Sequence, residues 1–383
     1  MSALVRRALP TALPMVAAVA ALVLVSACAS SDNDKTASPS SSGSSVSGTI
    51  ALLLPETKTT RYEAADKPDF EAALKKLCSA CTVDYANADQ DSSKQLQQAE
   101  AALTKGAKVL VLDPVDGTTA GKIVTEAKAQ NVPVISYDRL ITGGGAAPDY
   151  YISFDNEKVG QLQGTALKEA LGKQGKSGQL IWINGSPTDN NATLFAKGAH
   201  SVIPKGSTGI SGVTIGYEVA TPDWSPDKAN QEAAGAISKI GKDKVVGVYS
   251  ANDGMATGIV AALKAAGFST LPPLTGQDAE TAAITRILTG EQTMTVYKAI
   301  KPEAEAAAEL AVALLKGEKP TTVQGVSLST VKSGTTDVPS VLLTPVAVTK
   351  DNVKDTVIKD GYHTAAEVCT GAAAAVCTQL GIS

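Results

Sequence analysis

The chain has 383 residues, a formal net charge of −4, 44% hydrophobic residues and 19% charged ones. No basic surplus is present of the kind a nucleic-acid surface needs, and the apolar content is too high for a disordered protein. The length exceeds one comfortable hydrophobic core, so more than one folded domain is expected.

Residues 1–28 read as a processing segment rather than as part of the fold. Arg6 and Arg7 form a positive start, residues 15–25 an uncharged apolar stretch, and Leu24-Val25-Ser26-Ala27-Cys28 matches a bacterial lipobox. Cys28 is therefore the expected lipidation site, which would anchor an exported protein to the outer face of the cytoplasmic membrane. Residues 29–47 are rich in Ser and nearly free of large apolar side chains, so they read as a disordered tether.

From residue 48 onward, short apolar runs alternate with amphipathic helical patterns. Strands are predicted at 49–54, 82–85, 109–112, 132–137 and 150–154, with helices at 67–77, 92–105 and 121–130. The rhythm resumes with helices at 157–171, 190–203, 225–240, 256–266, 281–288 and 302–316. Strands at 179–184, 213–220, 245–250, 274–276 and 293–297 interleave with them, and a further apolar run lies at 340–349. Such alternation predicts an α/β protein with two doubly wound, mainly parallel sheets.

In open α/β sheets ligands bind beyond the carboxyl ends of the strands. The residues that follow those ends here are polar or aromatic: Arg61 and Tyr62, Asp138 and Arg139, Asp189 and Asn191, Trp224, Asn252, Asp278 and Lys298. Planar carboxylate, amide and guanidinium groups suit vicinal hydroxyls, and aromatic rings suit the C–H face of a sugar. Each residue alone could be a helix cap, a turn or a surface ion pair. Their recurrence in both halves of the chain favours a sugar site.

At these residues the chain resembles the type I periplasmic binding proteins (ribose/galactose type) of bacterial ABC importers. The resemblance runs over residues 49–363. It is carried by Y-I-S-F-D-N-E-K-V-G at 151–160, S-P-T-D-N-N-A at 186–192, Q-T-M-T-V-Y-K at 292–298 and D-T-V-I-K-D-G at 355–361. It implies two lobes joined by a three-segment hinge, 48–154 with 300–330 and 155–299 with 331–362, followed by a tail at 363–383. It also implies a monosaccharide, D-xylose, bound between the lobes by the ten residues named above. Delivery would be to an ABC permease and its ATPase, without cofactor, metal or catalysis. The loop 56–62, E-T-K-T-T-R-Y, departs from the family pattern, and Tyr62 stands where the family often has Trp. A sugar-sensing ectodomain read by a kinase or chemoreceptor is the alternative use of the same site.

Besides Cys28 the chain has Cys78, Cys81, Cys369 and Cys377. An even number in an exported protein suggests disulfides, and of the three pairings the local ones, Cys78–Cys81 and Cys369–Cys377, are expected. A zinc site would need more ligands than His200 and His363 supply. A redox C-x-x-C opens a helix, whereas this one closes it. No hydrolase, metalloprotease, Walker or dinucleotide motif occurs; Ser225-Pro-Asp-Lys228 matches S-x-x-K without its companions.

Overall fold

The structure, a computed structural model, describes residues 46–383. The signal segment with Cys28, and the tether but for its last two residues, lie outside the described residues.

The described chain begins with β1 (Gly48–Leu54), α1 (Lys67–Leu77), β2 (Cys81–Asn87), α2 (Ser92–Thr104), β3 (Val109–Leu112), α3 (Gly121–Ala129), β4 (Val134–Tyr137) and β5 (Tyr150–Phe154). It continues through α4 (Asn156–Gln174), β6 (Gly178–Asn184), α5 (Asn190–Val202), β7 (Val213–Ala220), α6 (Pro226–Ile240), β8 (Val245–Ser250), α7 (Asp253–Ala265), α8 (Thr281–Thr289) and β9 (Thr295–Tyr297). It closes with α9 (Ile300–Leu315), β10 (Thr322–Val323), β11 (Val326–Ser327), β12 (Ser329–Ser333), β13 (Thr336–Leu343), β14 (Val346–Val348), α10 (Ala365–Val368) and α11 (Ala373–Leu380).

The first sheet has the order β12-β13-β5-β4-β3-β1-β2 and is parallel except for β12 at its edge. Side chains alternate across a strand. Ile50, Leu52 and Leu54 therefore pack on α1 and α9, while Ala51 and Leu53 pack on α2 and α3. Both faces are covered, which is why these strands are continuously apolar. The second sheet, β7-β6-β8, is also parallel, and its core runs through Leu180, Ile181, Trp182 and Ile183 to α4, α5, α6 and α7. Antiparallel β9 and β14 stand beside it as a separate pair.

Three expectations need correction. Residues 331–343 stand in the first sheet and not in a second lobe, because β13 pairs in parallel with β5. The chain thus crosses finally at 344–345, before β14 joins β9. The strand expected at 274–276 is reduced to a single bridge between Leu274 and Val248. Residues 363–383, expected as a disulfide-closed tail outside both lobes, pack onto the second: Val368, Ala373, Cys377 and Ile382 are buried against Ile284, Ile287 and Leu288 of α8. The local pairs Cys78–Cys81 and Cys369–Cys377 are both disulfides.

The approach of α4 to α5 is set by two glycines. A Cβ on Gly160 would lie 1.9 Å from the Phe195 carbonyl oxygen, and one on Gly198 would lie 2.0 Å from that of Glu157. Only hydrogen at both positions permits this spacing, and it fixes where α5 presents its N-terminal turn.

Candidate functional site

All ten residues expected at the strand ends converge on one cavity between the two sheets. They are buried, none more than 5% exposed. Thr59, Phe195 and Gln277 complete the wall. β1 and β4 of the first sheet deliver Arg61, Tyr62, Asp138 and Arg139. The ends of β6, β7, β8 and β9, and the loop after Leu274, deliver the rest.

Asp138 is the hub. Its Oδ1 lies 3.3 Å from Arg61 Nη1 and 3.4 Å from Lys298 Nζ, and its Oδ2 accepts from the Tyr62 hydroxyl at 3.0 Å. Burial would raise this carboxyl, but Arg61, Lys298 and Arg139 outweigh that and hold it well below the usual carboxylate range. Asp138 has φ 51°, a left-handed conformation that costs a non-glycine residue energy. Its carbonyl is held there by Ser153 Oγ at 2.6 Å, Asn191 Nδ2 at 3.1 Å and Tyr151 Oη at 3.2 Å. Trp224 (φ 52°) and Asp278 (φ 96°) are left-handed as well. Three cavity residues thus sit in strained backbone, as expected where the surroundings impose a binding geometry.

Arg139 bridges the two halves. Its Nε lies 3.1 Å from Asp189 Oδ2, and its Nη2 donates to Tyr62 Oη at 3.1 Å. Trp224 Nε1 donates to the same Asp189 oxygen at 3.1 Å. Asp189 Oδ1 accepts the Asn191 backbone N–H at 2.8 Å and so caps α5. Asn252 likewise caps α7 by accepting from the Met255 N–H at 2.9 Å. Capping and lining the cavity are one arrangement here: the cap consumes one oxygen and turns the rest of the group inward. Ser225 of the S-x-x-K match proves to be only the cap of α6.

Asp278 has its carboxyl raised by burial, partly offset by Lys298 and Arg61. Asp278 Oδ1 stands 3.5 Å from Lys298 Nζ without a hydrogen bond, and Gln277 Oε1 is also buried without a partner. Buried acceptors left open in this way await a donor. Trp224 closes one wall, edge-on to Phe195 at a centroid distance of 6.2 Å. The Tyr62 ring is flanked by the guanidinium carbons of Arg61 and Arg139 at 5.4 and 5.6 Å.

Several residues escaped the strand-end reading. Phe195 is four residues after Asn191 on α5, a spacing that puts both on one helix face. Asp66, Asp113 and Glu303 lie behind the two arginines rather than in the wall. Asp66 Oδ1 is 2.6 Å and Glu303 Oε2 2.7 Å from Arg61 Nη2; Asp113 Oδ1 is 3.6 Å from Arg139 Nε. Glu303 is one of three Glu residues in the Ala-rich α9, and no local signal sets it apart from Glu305 and Glu309; its burial does.

Two buried guanidiniums, one ammonium and a balanced set of carboxylates, arrayed at the ends of two parallel sheets, define a solute-binding cleft. The family description "Periplasmic binding protein domain" matches residues 50–319. The chain is 37% identical over 319 residues to the D-xylose-binding periplasmic protein of Escherichia coli (strain K12), covering 83% of this chain and 92% of that protein. It is also 37% identical over 331 residues to the multiple sugar-binding periplasmic receptor ChvE of Rhizobium radiobacter, covering 83% and 91%. An ABC transporter solute-binding protein from Clostridium phytofermentans, solved with bound β-D-glucose, superposes with a TM-score of 0.76. It is 30% identical and covers 84% of this chain and 99% of that one. The chain belongs to the periplasmic binding protein family and has its type I fold. It is a binding protein of the ABC-transporter class, not an enzyme.

Proposed function

We propose that this protein is the exported, lipid-anchored substrate-binding component of an ABC sugar importer and that its cavity takes one monosaccharide, D-xylose in its pyranose form. The observation that carries the reading is the composition of the wall. Three cations, Arg61, Arg139 and Lys298, face three carboxylates, Asp138, Asp189 and Asp278, beside the amides of Asn191, Asn252 and Gln277. The ligand such a wall favours is neutral and rich in groups that both donate and accept, which describes a polyol ring. A phosphosugar or uronic acid would need a surplus of positive charge. The open acceptors Gln277 Oε1 and Asp278 Oδ1 would receive sugar hydroxyls, and Trp224 with Phe195 would cover the C–H face.

D-Xylose is favoured because relatives at 37% and 38% identity carry that sugar in their names and because a pentopyranose lacks the hydroxymethyl group that a hexose must accommodate. The chain passes between the two sheets at 155, at 298–300 and at 344–345. Rotation about these three connections would open the cleft to admit the sugar, and closure would present the loaded form to a permease.

Calorimetric titration with D-xylose, L-arabinose, D-ribose, D-glucose and D-galactose tests the reading. One-to-one binding with D-xylose tightest is expected. Tighter binding of a hexose would reassign the sugar and leave the site in place. Absence of binding to every sugar in the set would overturn the site itself.

A further inference from the structure

Glu303 is fully buried in the first turn of α9 and does not line the cavity. Its one side-chain bond is to Arg61. A guanidinium carries five N–H donors in a fixed fork. Arg61 Nε donates to Asp66 Oδ2 at 2.9 Å, and Nη2 donates to Asp66 Oδ1 at 2.6 Å and to Glu303 Oε2 at 2.7 Å. Three donors are therefore spent behind the cavity wall. The two on Nη1 face the cavity, where one donates to Asp138 Oδ1 at 3.3 Å and the other remains.

Resting on the reading that Arg61 bonds the sugar, we propose that Glu303 is a positioning residue that holds the Arg61 fork so that Nη1 alone faces the ligand. Without Glu303, Nη2 keeps one donor unspent in a buried place. The guanidinium can then tilt on its two-point contact with Asp66, and Nη1 loses its aim. Asp66 is tied at the same time to the Tyr137 hydroxyl at 2.6 Å and lies in the π turn ahead of α1, so it holds the local fold as well as the arginine. Glu303 has no such second duty, since its Oε1 has no partner. The groups that face it are Arg61, Asp66, Asp138 and Lys298. Burial, offset only in part by Arg61, pushes its carboxyl up, and an amide of the same shape keeps an oxygen that can accept from Nη2.

The test is D-xylose affinity, measured by calorimetry at pH 7 on the full chain and on Arg61→Ala, Glu303→Met, Glu303→Gln and the double variant Arg61→Ala/Glu303→Met. Methionine keeps the buried volume, and Glu303→Ala serves as a second truncation if methionine disturbs folding. Arg61→Ala should weaken binding by about 10-fold or more, and Glu303→Met by about 5- to 20-fold. Glu303→Gln should stay within about 3-fold of the parent. The double variant should bind as Arg61→Ala does, since a residue acting through Arg61 has nothing left to act on. Additive losses in the double variant, or unchanged affinity in both Glu303 truncations beside a weakened Arg61→Ala, would overturn the proposal alone. Unchanged affinity in Arg61→Ala would remove Arg61 from the site and the proposal with it.

Discussion

Gly185 lies directly after β6, at the foot of Trp224. Its φ is outside the left-handed region, so the backbone itself accepts alanine. The obstacle is the indole. A Cβ at 185 would lie 1.9 Å from Trp224 Cη2 and 2.2 Å from Cζ3, whereas carbon atoms rest at about 3.5–4.0 Å. In Gly185→Ala the ring must therefore retreat by roughly 1.5–2 Å, into the cavity. Such a shift breaks the 3.1 Å bond from Nε1 to Asp189. Overpacking costs about 1–3 kcal/mol and the broken bond about 1–3 kcal/mol more. A combined loss of about 2–6 kcal/mol corresponds to roughly 30- to 20,000-fold in sugar affinity. In an open cleft the ring has water to move into, so thermal stability without sugar should change much less. Tryptophan fluorescence reports the event cleanly. The chain has two tryptophans, and Trp182 is buried in a stack between Tyr249 at 4.2 Å and His200 at 4.3 Å, away from the cavity. Sugar titration should alter the emission of the parent through Trp224 and fail to do so in the variant. Parent-like affinity together with a parent-like fluorescence response would show that the indole does not wall the site.

Four further outcomes are expected. Cys28→Ala should move the protein from the membrane fraction to the soluble exported fraction; a variant that stays membrane-bound would exclude Cys28 as the anchor. Thiol labelling of the unreduced, denatured protein should find Cys78, Cys81, Cys369 and Cys377 blocked. Opening the loop of sequence separation 8 with Cys369→Ser should cost about 2.5 kcal/mol of stability, and a neutral result would show that the C-terminal packing does not need the link. Glu303 should make stability depend on pH. Its folded value of about 8 lies above the ordinary 4.5, so the folded chain keeps a proton that the unfolded chain releases. The contribution is full below about 4.5 and is lost as pH rises through 8. Glu303→Gln cannot titrate, so it should gain on the parent across that window and hold a constant lead above it. A melting-temperature difference that does not vary between pH 4 and 9 would contradict the burial argument.

Sequence alone was sufficient for whatever depends on neighbours along the chain. Strand and helix alternation follows from side-chain periodicity, so the α/β class and nearly every element were legible. The polar residues after each strand were legible too, because a strand end must leave the core and its first residues face the crevice. Local cysteine pairing needed only short separations. Whether Asp189 and Asn252 were caps or ligand groups could not be decided, because both roles use the same residue types at the same positions; in the fold each caps a helix and lines the cavity. What depends on partners far along the chain was decided only by the tertiary structure. The apolar run at 340–349 is one pattern, yet it divides between two sheets, because β13 finds its hydrogen bonds on β5 and β14 on β9. Arg61 shows the same limit. Its neighbours in the sequence mark it as a strand-end cation, but what aims it is Glu303, 242 residues away on α9. A buried charge is tolerated only where the fold brings its counter-charges to it, and no local pattern carries that information.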